Sequence, residues 1–166
     1  MIIRGRVWKF GDNINTDLIY PGPYLKEFLP YDEMAKHAME GVDPNFSKKV
    51  KKGDIIVAGR NFGCGSSREE AVTCLKAVGI GGILAESFAR IFFRNAINIG
   101  LPVLECKGLL HKVKEGDLLE VDFKSGTIKN ISTGEEIKTQ PLPDFIIEIL
   151  NKGGLLNFAK EKLGSK

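Results

Sequence analysis

A chain of 166 residues, 43% of them apolar, has enough hydrophobic material for one folded core and falls in the size range of a single domain. Its 24 basic and 21 acidic residues leave a net charge of +3, without the concentrated basic face that nucleic acid demands. No apolar run approaches the ~18 residues of a membrane span, and Met1 to Arg6 lacks the apolar centre of a signal peptide, so a cytoplasmic location is expected.

In chain order, Ile2 to Trp8 alternates, with Ile3, Gly5 and Val7 on one side and Arg4, Arg6 and Trp8 on the other, and predicts a strand. Gly11 to Asp17 is dense in turn formers. A short segment, Tyr24 to Leu29, lies between Pro21-Gly22-Pro23 and Pro30, and within it Tyr24 to Phe28 is expected to be a mobile loop. Tyr31 to Met39 predicts a helix with Asp32 and Glu33 in its first turn, where the helix dipole favours them. The basic run Lys48-Lys49-Val50-Lys51-Lys52 reads as a solvated turn.

Asp54 to Ala58 is a short apolar run and predicts a buried strand. A glycine-rich loop follows, and Ala71, Leu75 and Val78 at helical spacing predict a helix over Ser67 to Val78. Gly79 and Gly81-Gly82 end it. Ile83 to Ala85 predicts a strand, Ser87 an N-cap for a helix over Phe88 to Asn98, and Leu101 to Leu104 another strand. From Glu115 the turns Ser125-Gly126 and Thr133-Gly134 separate three short strands, a β-meander. Pro143 to Leu150 and Leu155 to Leu163 are closing helical pieces. The expected fold is a single α/β domain over 1–166, with a mainly parallel central sheet and a C-terminal β-meander on one side.

The chemistry concentrates in Gly59 to Ala71. A glycine-rich loop between strand and helix brings backbone N–H groups close to an anion, at the sheet end where open α/β folds bind ligands. Ser66, Ser67 and Arg68 add two hydroxyls and a guanidinium. Arg68 can hold a carboxylate bidentately, and a serine hydroxyl can act as a base where its oxyanion is held by N–H groups and positive charge. The alternative is structural: a serine that caps the helix and an arginine paired with Glu69 or Glu70. Cys64, Cys74 and Cys106 are scattered and form no C-x-x-C pair, so a zinc site or iron–sulfur cluster held by this chain alone is not expected. Cys64 reads as a small residue in a tight turn in preference to a nucleophile, since His37 and His111 are both remote in sequence.

Gly63-Cys64-Gly65-Ser66-Ser67-Arg68-Glu69, then Ser87-Phe88-Ala89-Arg90-Ile91-Phe92 and Asn95, with Asn15-Thr16-Asp17-Leu18-Ile19 upstream, resemble the swivelling domain of the aconitase superfamily. The resemblance covers essentially the whole chain. Within the superfamily it is to the small subunits of two-subunit isopropylmalate dehydratases. It implies a swivelling β/β/α domain and a hydro-lyase that interconverts 2- and 3-isopropylmalate by dehydration and rehydration, a step of leucine biosynthesis. The alternative it leaves is a homoaconitase small subunit acting on homocitrate and homoaconitate.

The resemblance further implies a large partner subunit carrying a [4Fe–4S] cluster that acts as a Lewis acid, in a heterodimer or heterotetramer, with no cofactor on this chain. The isolated chain is then expected to be inactive. Ser66 is implied as the base that removes the proton alpha to a carboxylate, Ser67 and Arg68 as ligands of that carboxylate, and Asp17 as an orienting acid. Single-chain aconitases place an arginine a few residues after the Asp17 landmark. Here that region reads Tyr24-Leu25-Lys26-Glu27-Phe28. Tyr24, Leu25 and Lys26 are therefore candidate substrate contacts. Leu25 and Phe28 suit an isopropyl group, or Leu25 is a core contact; Lys26 pairs with a terminal carboxylate, or is solvated. A stand-alone anion-binding module would use the same loop, but the Lys-Ser/Thr ending of a phosphate loop is absent.

Overall fold

The computed structural model describes residues 1–164. Seven strands form one mixed sheet in the order β4-β3-β2-β1-β5-β6-β7. They are β1 (Ile2–Lys9), β2 (Ile55–Ala58), β3 (Gly82–Ala85), β4 (Val103–Glu105), β5 (Leu118–Asp122), β6 (Thr127–Asn130) and β7 (Glu136–Lys138). β1 to β4 run parallel, with Val7 opposite Ile55, Ile56 opposite Ile83 and Leu84 opposite Leu104. β5 to β7 are antiparallel and join through β1, with Gly5 opposite Leu119. The parallel sheet and the meander are thus two halves of one sheet.

The halves differ as their sequences predict. Every residue of β2 and β3 is buried, as apolar runs in a covered parallel sheet must be. β5 and β6 alternate, burying Leu119, Val121 and Ile128 and leaving the intervening side chains more exposed. Each large aliphatic side chain buried in this core contributes about 1.5–3 kcal/mol by its removal from water.

The helices are α1 (Thr16–Ile19), α2 (Tyr31–Ala35), α3 (Phe46–Lys49), α4 (Glu69–Val78), α5 (Arg90–Asn98), α6 (Asp144–Asn151) and α7 (Leu155–Gly164). Among the described residues no helix is long and apolar enough to cross a membrane. Four local expectations change. The helix predicted to reach Met39 stops at Ala35, because Met39 turns left-handed (φ 58°) and its N–H leaves to donate to the Ile19 carbonyl at 2.8 Å. α4 begins at Glu69 instead of Ser67, since Arg68 is extended and neither serine caps the helix. Ser87 does not cap α5, which follows Ala89; its hydroxyl accepts the Asn61 N–H at 2.8 Å. Tyr24 to Phe28 is not a loop throughout, for Gly22–Lys26 forms a 3₁₀ turn. α3 holds Phe46 fully buried against the edges of Trp8 and Phe10, and carries Lys48 and Lys49 in its last turn.

Candidate active site

The loop from the end of β2 to Arg68 is fastened on both sides by main-chain hydrogen bonds. On one side Gly63 N–H donates to the Ile14 carbonyl at 2.7 Å, and Thr16 N–H to the Cys64 carbonyl at 2.8 Å. The buried Thr16 adds its hydroxyl, which donates to the Ser66 carbonyl at 2.9 Å across 50 residues of sequence. On the other side Phe62 N–H donates to the Ser87 carbonyl at 3.1 Å, and the Phe62 carbonyl accepts the Ala89 N–H at 2.9 Å. Gly63 is obligatory here. Its φ is 82°, and a Cβ would stand 2.2 Å from Cγ of Phe92.

These tethers bring the three sequence landmarks to one place. Ser66, Ser67 and Arg68 share a small cavity of about 210 Å³ with Thr16, Gly65, Arg90, Ile91 and Asn95. Arg68 is held out of α4 by its extended backbone, and its guanidinium donates to Asp17 Oδ1 at 3.0 Å and to the Tyr20 carbonyl at 3.1 Å. Its side chain is only 16% exposed. The Arg68 hydrogen bond, and a second from Gly22 N–H at 2.8 Å, hold the Asp17 carboxyl below its usual range. Asn15 fixes Asp17 from behind, its Oδ1 accepting the Leu18 N–H as the cap of α1.

Asp17, Ser66, Ser67 and Arg68 are brought together: the three loop residues line the cavity, and Asp17 joins them through Arg68. Tyr24, Leu25 and Lys26 are not in the cavity wall; they lie on the 3₁₀ turn that starts at Gly22, beside Asp17. A Cβ on Gly22 would be 3.8 Å from Nη2 of Arg68, so the root of this turn abuts the guanidinium. Leu25 is half-buried against the core and Lys26 is exposed. Tyr24 is half-buried, and its hydroxyl donates to Glu40 Oε1 at 2.7 Å. That bond pushes the Tyr24 phenol above its usual value.

Arg90 and Asn95 are site residues for which the sequence reading gave no role, although both stand in the motifs quoted. A larger concavity of about 700 Å³, lined by Phe88, Phe93, Leu104 and Leu142 among others, shares Arg90 with the small cavity but holds none of Ser66, Ser67 or Arg68. The candidate site is the smaller one, whose lining includes Ser66, Ser67, Arg68 and Arg90.

The cysteines do not assemble. Cys74 is buried on α4 with its thiol directed at the Ile19 and Ala71 carbonyls, Cys106 is buried beyond β4, and burial raises both thiols above their ordinary values. Among the described residues no group of three His, Cys, Asp or Glu side chains is placed to hold a metal. The donor set of this chain does not fit an iron–sulfur cluster.

The family described as the aconitase C-terminal domain matches residues 11–108. The chain is 59% identical over 162 residues to the isopropylmalate/citramalate isomerase small subunit of Methanocaldococcus jannaschii, covering 98% of this chain and 96% of that protein. It is 56% identical over 156 residues to the methanogen homoaconitase small subunit of Methanothermobacter thermautotrophicus, covering 94% and 89%. The crystal structure of 3-isopropylmalate dehydratase from Methanocaldococcus jannaschii superimposes with a TM-score of 0.91 at 49% identity, over 98% of this chain and 95% of that one.

Proposed function

The chain belongs to the aconitase C-terminal domain family, and on that premise we propose that it is the small subunit of a hydro-lyase that isomerises isopropylmalate. One observation carries this reading. Thr16 and the run Ser66-Ser67-Arg68, from two segments some 50 residues apart, line one cavity and are tethered by the Thr16 hydroxyl on the Ser66 carbonyl and the Thr16 N–H on the Cys64 carbonyl.

In this mechanism Arg68 and Ser67 bind the substrate carboxylate, and Ser66 takes the proton from the carbon alpha to it. The C–H electron pair becomes the new double bond as hydroxide leaves the adjacent carbon. Water then adds with the opposite regiochemistry, and Ser66 returns its proton. Serine can act as a base only where positive charge favours its oxyanion, and the guanidinium groups of Arg68 and Arg90 on the same cavity supply that field. Asp17 keeps Arg68 aimed while leaving its remaining N–H groups for the carboxylate.

An electrophile for the departing hydroxide comes from the partner chain. This reading assigns the [4Fe–4S] cluster to a large subunit, in a heterodimer or heterotetramer within the cytoplasm, and the reaction to leucine biosynthesis. A second reading, homoaconitate as substrate, draws on the exposed Lys26 at the turn beside Asp17, which suits an acidic arm. The experiment is co-expression with a cluster-bearing large subunit, followed by assay on isopropylmalate, citramalate, homocitrate and citrate. Turnover of isopropylmalate by the complex, and none by the isolated chain, is the expected result. Turnover of homocitrate in preference would move the assignment to the second reading, and turnover of none of the four would remove both.

A further inference from the structure

The turn Gly22–Lys26 is clamped by a cluster that the reaction chemistry does not use. Tyr24 lies face to face with the His37 imidazole, centroids 3.7 Å apart and planes at 18°. Both rings converge on one carboxylate: the Tyr24 hydroxyl donates to Oε1 of Glu40 at 2.7 Å, and His37 Nδ1 pairs with Oε2. Glu40 is itself immobilised. On either side of it, Met39 N–H donates to the Ile19 carbonyl at 2.8 Å and Gly41 N–H to the Leu18 carbonyl at 2.9 Å. The approach is so close that a Cβ on Gly41 would stand 2.6 Å from Cα of Leu18. Glu40 is thus fixed to α1, the same element that carries Asp17.

A closed circuit results. Asp17 accepts the N–H of Gly22 at the root of the turn, Tyr24 in mid-turn is bound to Glu40, and Glu40 is bolted by its neighbours to α1. Beyond Leu25 the side chains are free of the core: Lys26 and Glu27 are exposed, and Phe28 is fully exposed at 104%. A structural clamp would be expected to lie in the core, where burial stabilises most. This one lies at the border of the site and fixes the side of a turn that abuts the carboxylate-binding arginine. We propose that Glu40, acting through Tyr24 and His37, is a positioning residue that sets the distance of the Gly22–Lys26 turn from the Asp17–Arg68 pair and so selects the substrate substituent the site accepts. The inference deepens the functional reading above and rests on it.

The test compares Glu40→Ala, Glu40→Gln and Tyr24→Phe in the complex with its large subunit, using isopropylmalate and homocitrate as probes. Glu40→Ala releases both rings and should change the ratio of the two kcat/KM values by about fivefold or more, chiefly through KM, while kcat stays within about twofold. Glu40→Gln keeps one acceptor oxygen for the Tyr24 hydroxyl and turns an NH2 donor towards Nδ1 of a neutral His37, so it should restore most of the ratio. Tyr24→Phe keeps the stacked rings and should lie between. Amide hydrogen exchange on the same proteins should quicken over Gly22–Phe28 in Glu40→Ala and stay unchanged over Gly63–Ala71. An unchanged ratio, whether or not exchange quickens, overturns the proposal and leaves Glu40 a stabilising residue only. Inactivity of the unsubstituted complex on both probes is a separate outcome: it removes the functional reading, and this inference with it.

Discussion

The loop Gly59–Arg68 and the turn Gly22–Lys26 meet at the same ion pair, yet they are held by opposite means. The loop is held through its own main chain, which bonds the backbone of Ile14, Thr16, Ser87 and Ala89 and the side chains of Asp12, Thr16 and Ser87, and Gly63 packs against the ring of Phe92. The turn is held by side chains, with Tyr24, His37 and Glu40 making the contacts. A geometry built on main chain survives most side-chain changes at its periphery, whereas one built on three side chains can be reset by a single substitution. The first suits invariant chemistry and the second suits adjustable selectivity.

The largest expected effect probes the loop's chemistry without disturbing its frame. In the complex, Ser66→Ala should lower turnover by about 10²–10⁴-fold or more, since a general base is lost. The melting temperature should hardly move, because Thr16 grips the Ser66 carbonyl and not its hydroxyl. Initial rates and a thermal melt check both halves, and near-normal turnover would return Ser66 to a structural role.

The frame itself is broken by Gly63→Ala. The new Cβ meets the Phe92 ring at 2.2 Å and is attached to a left-handed backbone, so unfolding free energy should fall by about 1–3 kcal/mol. The matched change on the turn, Lys26→Ala at an exposed position, should stay within about 0.5 kcal/mol. Denaturant titrations compare the two, and equal losses would sink the contrast between main-chain and side-chain anchoring.

The smallest effect concerns the pair that joins them. Arg68 and the Gly22 N–H lower the Asp17 pKa in the folded chain from its ordinary 3.8, so folding favours the ionised form. That contribution is complete above the unfolded value and is lost as pH falls through the folded one. Its size is modest because Asp17 is 63% exposed and solvent screens the pair. Thermal melts of the unsubstituted chain and of Asp17→Asn should therefore differ most at pH values well above 3.8 and converge as pH falls through the lowered folded value. A difference that widened on acidification would contradict the pairing.

Much of this arrangement was legible in the sequence, and what was not has identifiable causes. The strands near Ile2, Ile55 and Ile83 and the meander followed from apolar runs and tight-turn residues, and α4 and α5 from apolar spacing. The candidate loop between β2 and α4 stands out by its glycines, hydroxyls and guanidinium. Long-range hydrogen bonds were invisible. Propensity carries the second helix to Met39, but the Ile19 carbonyl captures the Met39 N–H and ends it early. Ser87 has the composition of a cap and is used across the fold to hold Asn61. Within the site, the Asp17–Arg68 contact joins residues 51 apart, and nothing in local spacing pairs them. Arg90 and Asn95 carry no mark of their own that distinguishes a cavity wall from a solvated helix face. The i,i+3 pair His37–Glu40 was overlooked because the segment was assigned to a longer helix.

The position of β1 in the sheet bears on how the chain assembles during synthesis. β1 precedes both of its sheet neighbours, β2 and β5, which lie about fifty and more than a hundred residues downstream. Until Asp122 has emerged, one edge of β1 has no partner, and its exposed donors and acceptors are open to any other extended chain. The segment 11–108, which carries all the reactive motifs, contains neither β1 nor the meander that covers it. The matched segment is thus flanked by the strands that complete its sheet, a topology of high contact order that favours slow folding.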